Sequence, residues 1–463
     1  MSNELLDDLE NYTKGFSCGD YFDIRVVSES GRSLRMENGR ITTNKLYSEK
    51  GLHARIYYNG NWGSATSSSI NKENVLKTLE KACIIAKSSS NPLAKKHELS
   101  SQKLVESIYE WPIKRSFDDV DLSAKISDMQ VVNGILASKE YVKSVVVRLN
   151  EWIEERIIYT SEGTKVREVK PYIYFAAMAT GYVEGRNITA YKNIGRINGY
   201  TIFDEISQEE FALQIIDKLE KQAKAKSVKP DKYETIVSPD LVGTLIHEAF
   251  GHLAEADFVL SGSLLREYRG KEIAPEFINV RDVPEVNQGF GNIKFDDEGT
   301  QARDAIIVDN GVVKEFMTDR ERAVLLDQKP TGNARSEGYR VQPLIRMRNT
   351  ILLPGDWRLD ELIEDIDYGV LLGTPLGGEA NLDGTFQVGI QDAYEIINGE
   401  IGDPIRVSSI TGNSIKMLRH AVGLSRDFRV DYGFCGKMQW VPVSSGGPYL
   451  RVAKEGAPSL GAV

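Results

Sequence analysis

Cysteine is scarce in this chain: three in 463 residues, at Cys18, Cys83 and Cys435. They stand too far apart to suggest a disulfide framework. No run approaches the ~20 apolar residues that a membrane-spanning helix needs. Basic runs are missing as well, and the formal net charge is -10. That balance argues against a nucleic-acid surface as the main function. The acidic, amphipathic start "MSNELLDDLENYTKGF" has neither the charged beginning nor the apolar centre of a secretory signal. The expectation is a cytoplasmic chain, with no membrane and no nucleic-acid partner.

What is present is enough for a large core. Hydrophobic residues make up 41% of the sequence, and the length suits two domains. After a short first helix, β-rich segments alternate with the turns "SESG", "ENGR" and "YNGN" and predict an antiparallel meander. Helical spacing predicts helices over residues 71–89, 121–138 and 207–227. Long strands fill the span between the last two. A polar, proline-containing stretch, "VKPDKYETIVSPD", places a boundary near residue 228. Beyond it the chain is richer in glycine and short β segments, with one helix at its start and another predicted in "DWRLDELIEDIDYG". The expected fold is α+β: an N-terminal domain with an antiparallel sheet (1–227) and a mainly β C-terminal domain (228–463).

Histidine is scarce too, five in all, and two of the five fall in "LIHEAFGHLAEAD", residues 245–257. His247 and His252 are separated by five positions, not the four of the usual zinc-protease helix. At about 100° per residue, i and i+5 point about 140° apart on a regular helix. One extra residue in the turn, a π-bulge, would return both imidazoles to one face. Gly251 would ease such a distortion through its backbone freedom. The bland alternative is two unrelated histidines, with Glu255 and Asp257 on a solvated face. A catalytic zinc site needs three protein ligands and an open position. From the residues alone the third ligand stays open among Glu255, His420 and Cys435, and a lone cysteine is more often a small buried hydrophobe.

Several ordered segments resemble the TldD/PmbA family of metalloproteases, also called modulators of DNA gyrase. They are "LIHEAFGHLAEAD", "FDDEGT", "PTGNARSEGY" with "RMRNT", "AYEIINGEIGDPIR" and "CGKMQWVPVSSGGP". The resemblance is to the metal-bearing TldD-like branch. It implies that His247, His252 and Cys435 hold zinc and that Glu248 is the general base of peptide hydrolysis. It also implies unfolded polypeptides or short peptides as substrates, bound as an added strand. The expected assembly is a homodimer or a heterodimer with a PmbA-like chain. Two other classes stay open: a cysteine hydrolase with Cys435 as nucleophile and His420 as base, and a peptide-binding subunit whose metal is structural, closed by Glu255.

Overall fold

The computed structural model of the protein describes residues 4–89 and 98–461. Its first half is built on a seven-stranded sheet. The strands are β1 (Tyr21–Glu37), β2 (Arg40–Tyr58), β3 (Asn61–Ser67), β4 (Glu106–Glu110), β5 (Val142–Thr160), β6 (Lys165–Val183) and β7 (Arg186–Arg196). They run in the order β3-β2-β1-β5-β6, and β6 also pairs with β4 and β7. All pairings are antiparallel except β4 with β6.

Strand alternation divides this sheet into two unlike faces. Ile24, Val26, Leu34 and Met36 of β1, with Val147, Leu149 and Ile157 of β5, belong to apolar clusters. Helices α1 (Glu4–Thr13) and α2 (Lys72–Ser89) cover one end of that face, and α3 (Leu122–Ala137) and α4 (Gln208–Lys224) the other. Their sequences explain the placement. In α4, Phe211, Ala212, Ile215, Ile216 and Leu219 form one buried stripe. Ser207 caps its start by accepting from Glu210 N at 3.0 Å, with glutamates in the first turn and lysines in the last. The intervening residues of the strands, Arg25, Glu29, Trp152, Glu154, Arg156, Lys170 and Tyr172, turn to the other face. That face meets the second half: Arg25 and Arg156 both bond Asp297, at 3.3 and 2.7 Å.

The second half carries an eleven-stranded mixed sheet and a separate four-stranded antiparallel sheet. In the larger one the long hairpin Ala421–Gly436/Trp440–Val452 lies between Asn349–Leu352 and Glu234–Val237. Helix α5 (Pro239–Ile246) packs on this hairpin. Glycine is required where they touch. A Cβ on Gly447 would lie 2.3 Å from Val242 Cγ1, and one on Gly243 would lie 3.0 Å from Gly446 N. The "SSGG" stretch is thus a seat for the helix.

Two expectations need correcting. Cys18 and Cys83 are bonded in a disulfide, with Cα atoms 6.2 Å apart. Their 65-residue separation in sequence is closed by the packing of α2 on the sheet, which no spacing rule anticipates. The helix expected in residues 356–369 is only the short turn Leu359–Ile363, after which the chain enters the strand Tyr368–Leu372.

Candidate metal centre

Ser238 accepts from Leu241 N at 3.3 Å and Pro239 fills the first turn, so α5 starts firmly. Its end is irregular in an informative way. Residues His247–Gly251 form one π turn, and His252 N donates to His247 O, an i→i+5 bond. The bulge that would return both rings to one face is therefore present. It brings the two imidazoles to a centroid separation of 5.4 Å, nearly perpendicular at 81°. Gly251 serves a different purpose from the one expected. Its φ of -59° is ordinary helix, but a Cβ there would lie 2.2 Å from Met347 Sδ. The glycine provides space, not backbone freedom.

Cys435 arrives from far along the chain. It sits on a strand and not in a loop, opposite Val441 in the long hairpin, and is 4% exposed. Ligand-type atoms of His247, His252 and Cys435 all lie within 4.8 Å of one another. Cys435 Sγ is 3.4 Å from His252 Nε2. The Glu248 carboxylate is 3.8 Å from that same nitrogen and remains partly open to solvent. His420 is not in this group; its Nδ1 bonds Lys416 O at 2.9 Å on an exposed turn.

The residues around the cluster fix its charges. Burial alone would push the Cys435 thiol up, but His247 and His252 overcome this and hold it at about 4, a thiolate. Burial would push Glu255 up as well; His252 and Lys437 hold it down at about 2. Glu255 is fully buried and contacts His252 Nδ1 at 2.8 Å. It therefore lies on the far side of the ring from Cys435, where it orients the imidazole. Lys437 reaches Glu255 at 3.1 Å and Asp257 at 2.7 Å. Glu255 is thus a buried support, and the half-buried Asp257 is held by the same lysine. Arg346, fully buried, donates to Cys435 O at 2.6 Å and Gln439 O at 2.8 Å and sets the hairpin's turn. Lys437 and Arg346 escaped the sequence reading, although "CGK" and "RMRNT" contain them.

Two imidazoles and a thiolate form a donor set suited to zinc. His247 Nδ1 is buried with no hydrogen-bonding partner among the described residues, a costly position for an imidazole nitrogen. His247 and Glu248 open onto a cleft of about 410 Å³ between the two halves of the chain. Its far wall comes from Tyr174, Tyr191 and Asn193, and its side from Leu376, Gly377 and Gly378.

Comparison with known proteins gives a consistent result. Residues 230–456 match the family described as the PmbA/TldA metallopeptidase C-terminal domain. Residues 22–86 match domain 1 of the same family, and 115–228 its central domain. A metalloprotease of Methanocaldococcus jannaschii is 31% identical over 448 residues, covering 96% of this chain and 98% of the relative. A zinc metalloprotease TldD homolog of Saccharolobus solfataricus is 34% identical over 409 residues, covering 88% and 89%. Among solved structures, TldE from Thermococcus kodakarensis aligns with a TM-score of 0.74 at 19% identity, covering 97% of this chain and 99% of that one. The last likeness shows the fold.

Proposed function

The chain belongs to the PmbA/TldD metallopeptidase family, and from that premise we propose that it hydrolyses unfolded polypeptides or short peptides with one zinc ion held by His247, His252 and Cys435. The observation that carries the reading is the convergence of these three residues, with the Glu248 carboxylate beside them and with His247 and Glu248 lining a cleft. A bound zinc ion supplies a Lewis acid that lowers the pKa of a water to about 7 and polarises the scissile carbonyl. Glu248 takes the proton of the attacking water and delivers it to the leaving nitrogen. Glu255 keeps His252 in one orientation. A structural site would be closed by a fourth protein ligand, but Glu255 is engaged with His252 Nδ1 and Lys437, which favours a catalytic site with one side open.

The strand Pro375–Ala380 ends the four-stranded sheet, and its exposed Leu376, Gly377 and Gly378 line the cleft. We assign an extended peptide to that edge, where main-chain hydrogen bonds give affinity with little sequence choice. A folded domain is too wide for such a groove. The same reasoning favours a dimer, with a second copy or a PmbA-like chain, that encloses the cleft, and keeps the division near residue 228 as the boundary between the two domains. No described helix is long and apolar enough to cross a membrane. A cytoplasmic location is proposed from the sequence; the Cys18–Cys83 disulfide speaks against it, except in an organism that keeps intracellular disulfides.

The test is a peptidase assay on casein before and after chelation, with zinc restored to the chelated protein. The expected result is loss and recovery of activity. Activity that survives chelation and falls on thiol alkylation would instead establish a cysteine hydrolase. That reading would use His252, the partner that Cys435 has in the structure, and not His420.

A further inference from the structure

A second cavity, of about 320 Å³, lies beside the cleft and shares Phe434 and Trp440 with it. Phe434 immediately precedes Cys435, so a peptide crossing the cluster can reach this cavity with one end. Its wall is aromatic where Trp152 stacks on Tyr172, with centroids 4.7 Å apart. Its charges are arranged unusually. Lys170, on β6, lines the cavity yet is only 2% exposed. Its nearest carboxylates, Glu154 and Glu168, are both 3.9 Å away, too far for hydrogen bonds. Both are engaged elsewhere: Glu154 with Arg156 at 2.9 Å, Glu168 with Trp111 Nε1 at 2.7 Å and Lys294 N at 3.0 Å.

Arg335 is the second cation. It is buried and spends Nη1 and Nη2 on the carbonyls of Met347 and Pro442, at 2.6 and 2.7 Å. No described carboxylate forms an ion pair with it. Two of the acids that line the cavity are held by other groups. Asp297 lies between Arg156 and Arg25. Asp296 accepts from the main-chain nitrogens of Glu298, Thr300 and Ala334. Glu337 accepts from Trp440 N at 3.2 Å. Burial and then the charge of Glu154 push the Glu29 carboxyl up to about 7. Lys170 is left with two long ion pairs and no hydrogen bond among the described residues, and Arg335 with carbonyls alone. A buried ammonium whose donors are unfilled is costly, and a ligand's carboxylate within hydrogen-bond reach would offset that cost.

We propose that this cavity is a subsite for a carboxylate carried by the peptide, received by Lys170 and Arg335 against the aromatic wall. The carboxylate can come from the peptide's C-terminus or from an acidic side chain. The inference deepens the peptidase reading and rests on it for taking the ligand to be a peptide.

Binding is measured by calorimetry on the Glu248→Gln variant, which slows turnover. The probes are an unstructured hexapeptide with a free C-terminus, the same peptide amidated, and the amidated peptide with one glutamate. The free acid is expected to bind at least about tenfold tighter than the plain amide, the factor that 1.4 kcal/mol represents. Lys170→Met should bring that ratio close to one, and Lys170→Arg should restore part of it. If the glutamate-bearing amide also binds tightly, the subsite takes side-chain carboxylates too; if it does not, the C-terminus is the source. Equal binding of all three probes to the Glu248→Gln protein would overturn the subsite, and this comparison needs no change at Lys170. Casein hydrolysis by the unsubstituted protein is scored separately, so a failed peptidase reading is distinguished from a failed subsite.

Discussion

Glu255 Oε2 contacts His252 Nδ1 at 2.8 Å while His252 Nε2 faces Cys435 Sγ at 3.4 Å. One imidazole thus connects a buried carboxylate to the cluster, the arrangement that orients a metal-binding histidine. Replacing Glu255 with glutamine keeps the size of the side chain and removes its charge. The expected effect is a loss of metal affinity of about 10–100-fold, measured by competition with a chelator. Unchanged affinity would mean that the ring is held by packing alone.

Glu248 is next to His247, a proposed ligand, but is not counted among the three. Glu248→Gln is expected to bind metal fully and melt at the parent temperature, with peptide hydrolysis reduced by about 10²–10⁴-fold. Rates near those of the parent would assign the proton transfer to another group.

Asp297 joins the two halves through Arg25 and Arg156. Burial would raise its pKa, but Arg156 and then Arg25 hold it well below the usual carboxylate range. A depressed folded-state pKa contributes stability that is present above the unfolded value, about 3.9, and is lost as pH falls through the folded value. Asp297→Asn should therefore destabilise the protein at pH 7 by about 3–5 kcal/mol, the cost of leaving buried charge unpaired. Urea unfolding at several pH values should find the gap constant above about pH 5 and shrinking below about pH 4.

The Cys18–Cys83 bond closes a 65-residue separation. Its removal by Cys83→Ser should lower stability by about 2–4 kcal/mol without changing metal content, since both residues lie outside the cluster. Mass spectrometry with and without reductant checks the bond itself, and a thermal melt checks its contribution.

The sequence made the site's helix legible because i, i+5 spacing has one simple structural solution, and the π turn at His247–Gly251 is that solution. Turn signals and helical spacing made α1 to α4 and the antiparallel part of the first sheet readable for the same local reasons. What was not legible depended on distant contacts. Cys435 looked like any buried cysteine until the hairpin carried it to His252, 183 positions away, and only the family resemblance had assigned it. The disulfide and the support that Lys437 and Arg346 give the cluster are equally non-local. Glu255 and Asp257, charged and near a helix end, read as surface residues. Their partner Lys437 comes from the far hairpin, and nothing in the local sequence announces it.

The account's central claim is that His247, His252 and Cys435 form one metal centre. Its most direct test is elemental analysis of the purified protein and of Cys435→Ala, prepared side by side. The account predicts about one zinc per chain in the parent and almost none in the variant, with both folded by circular dichroism. Full zinc occupancy in folded Cys435→Ala would contradict it.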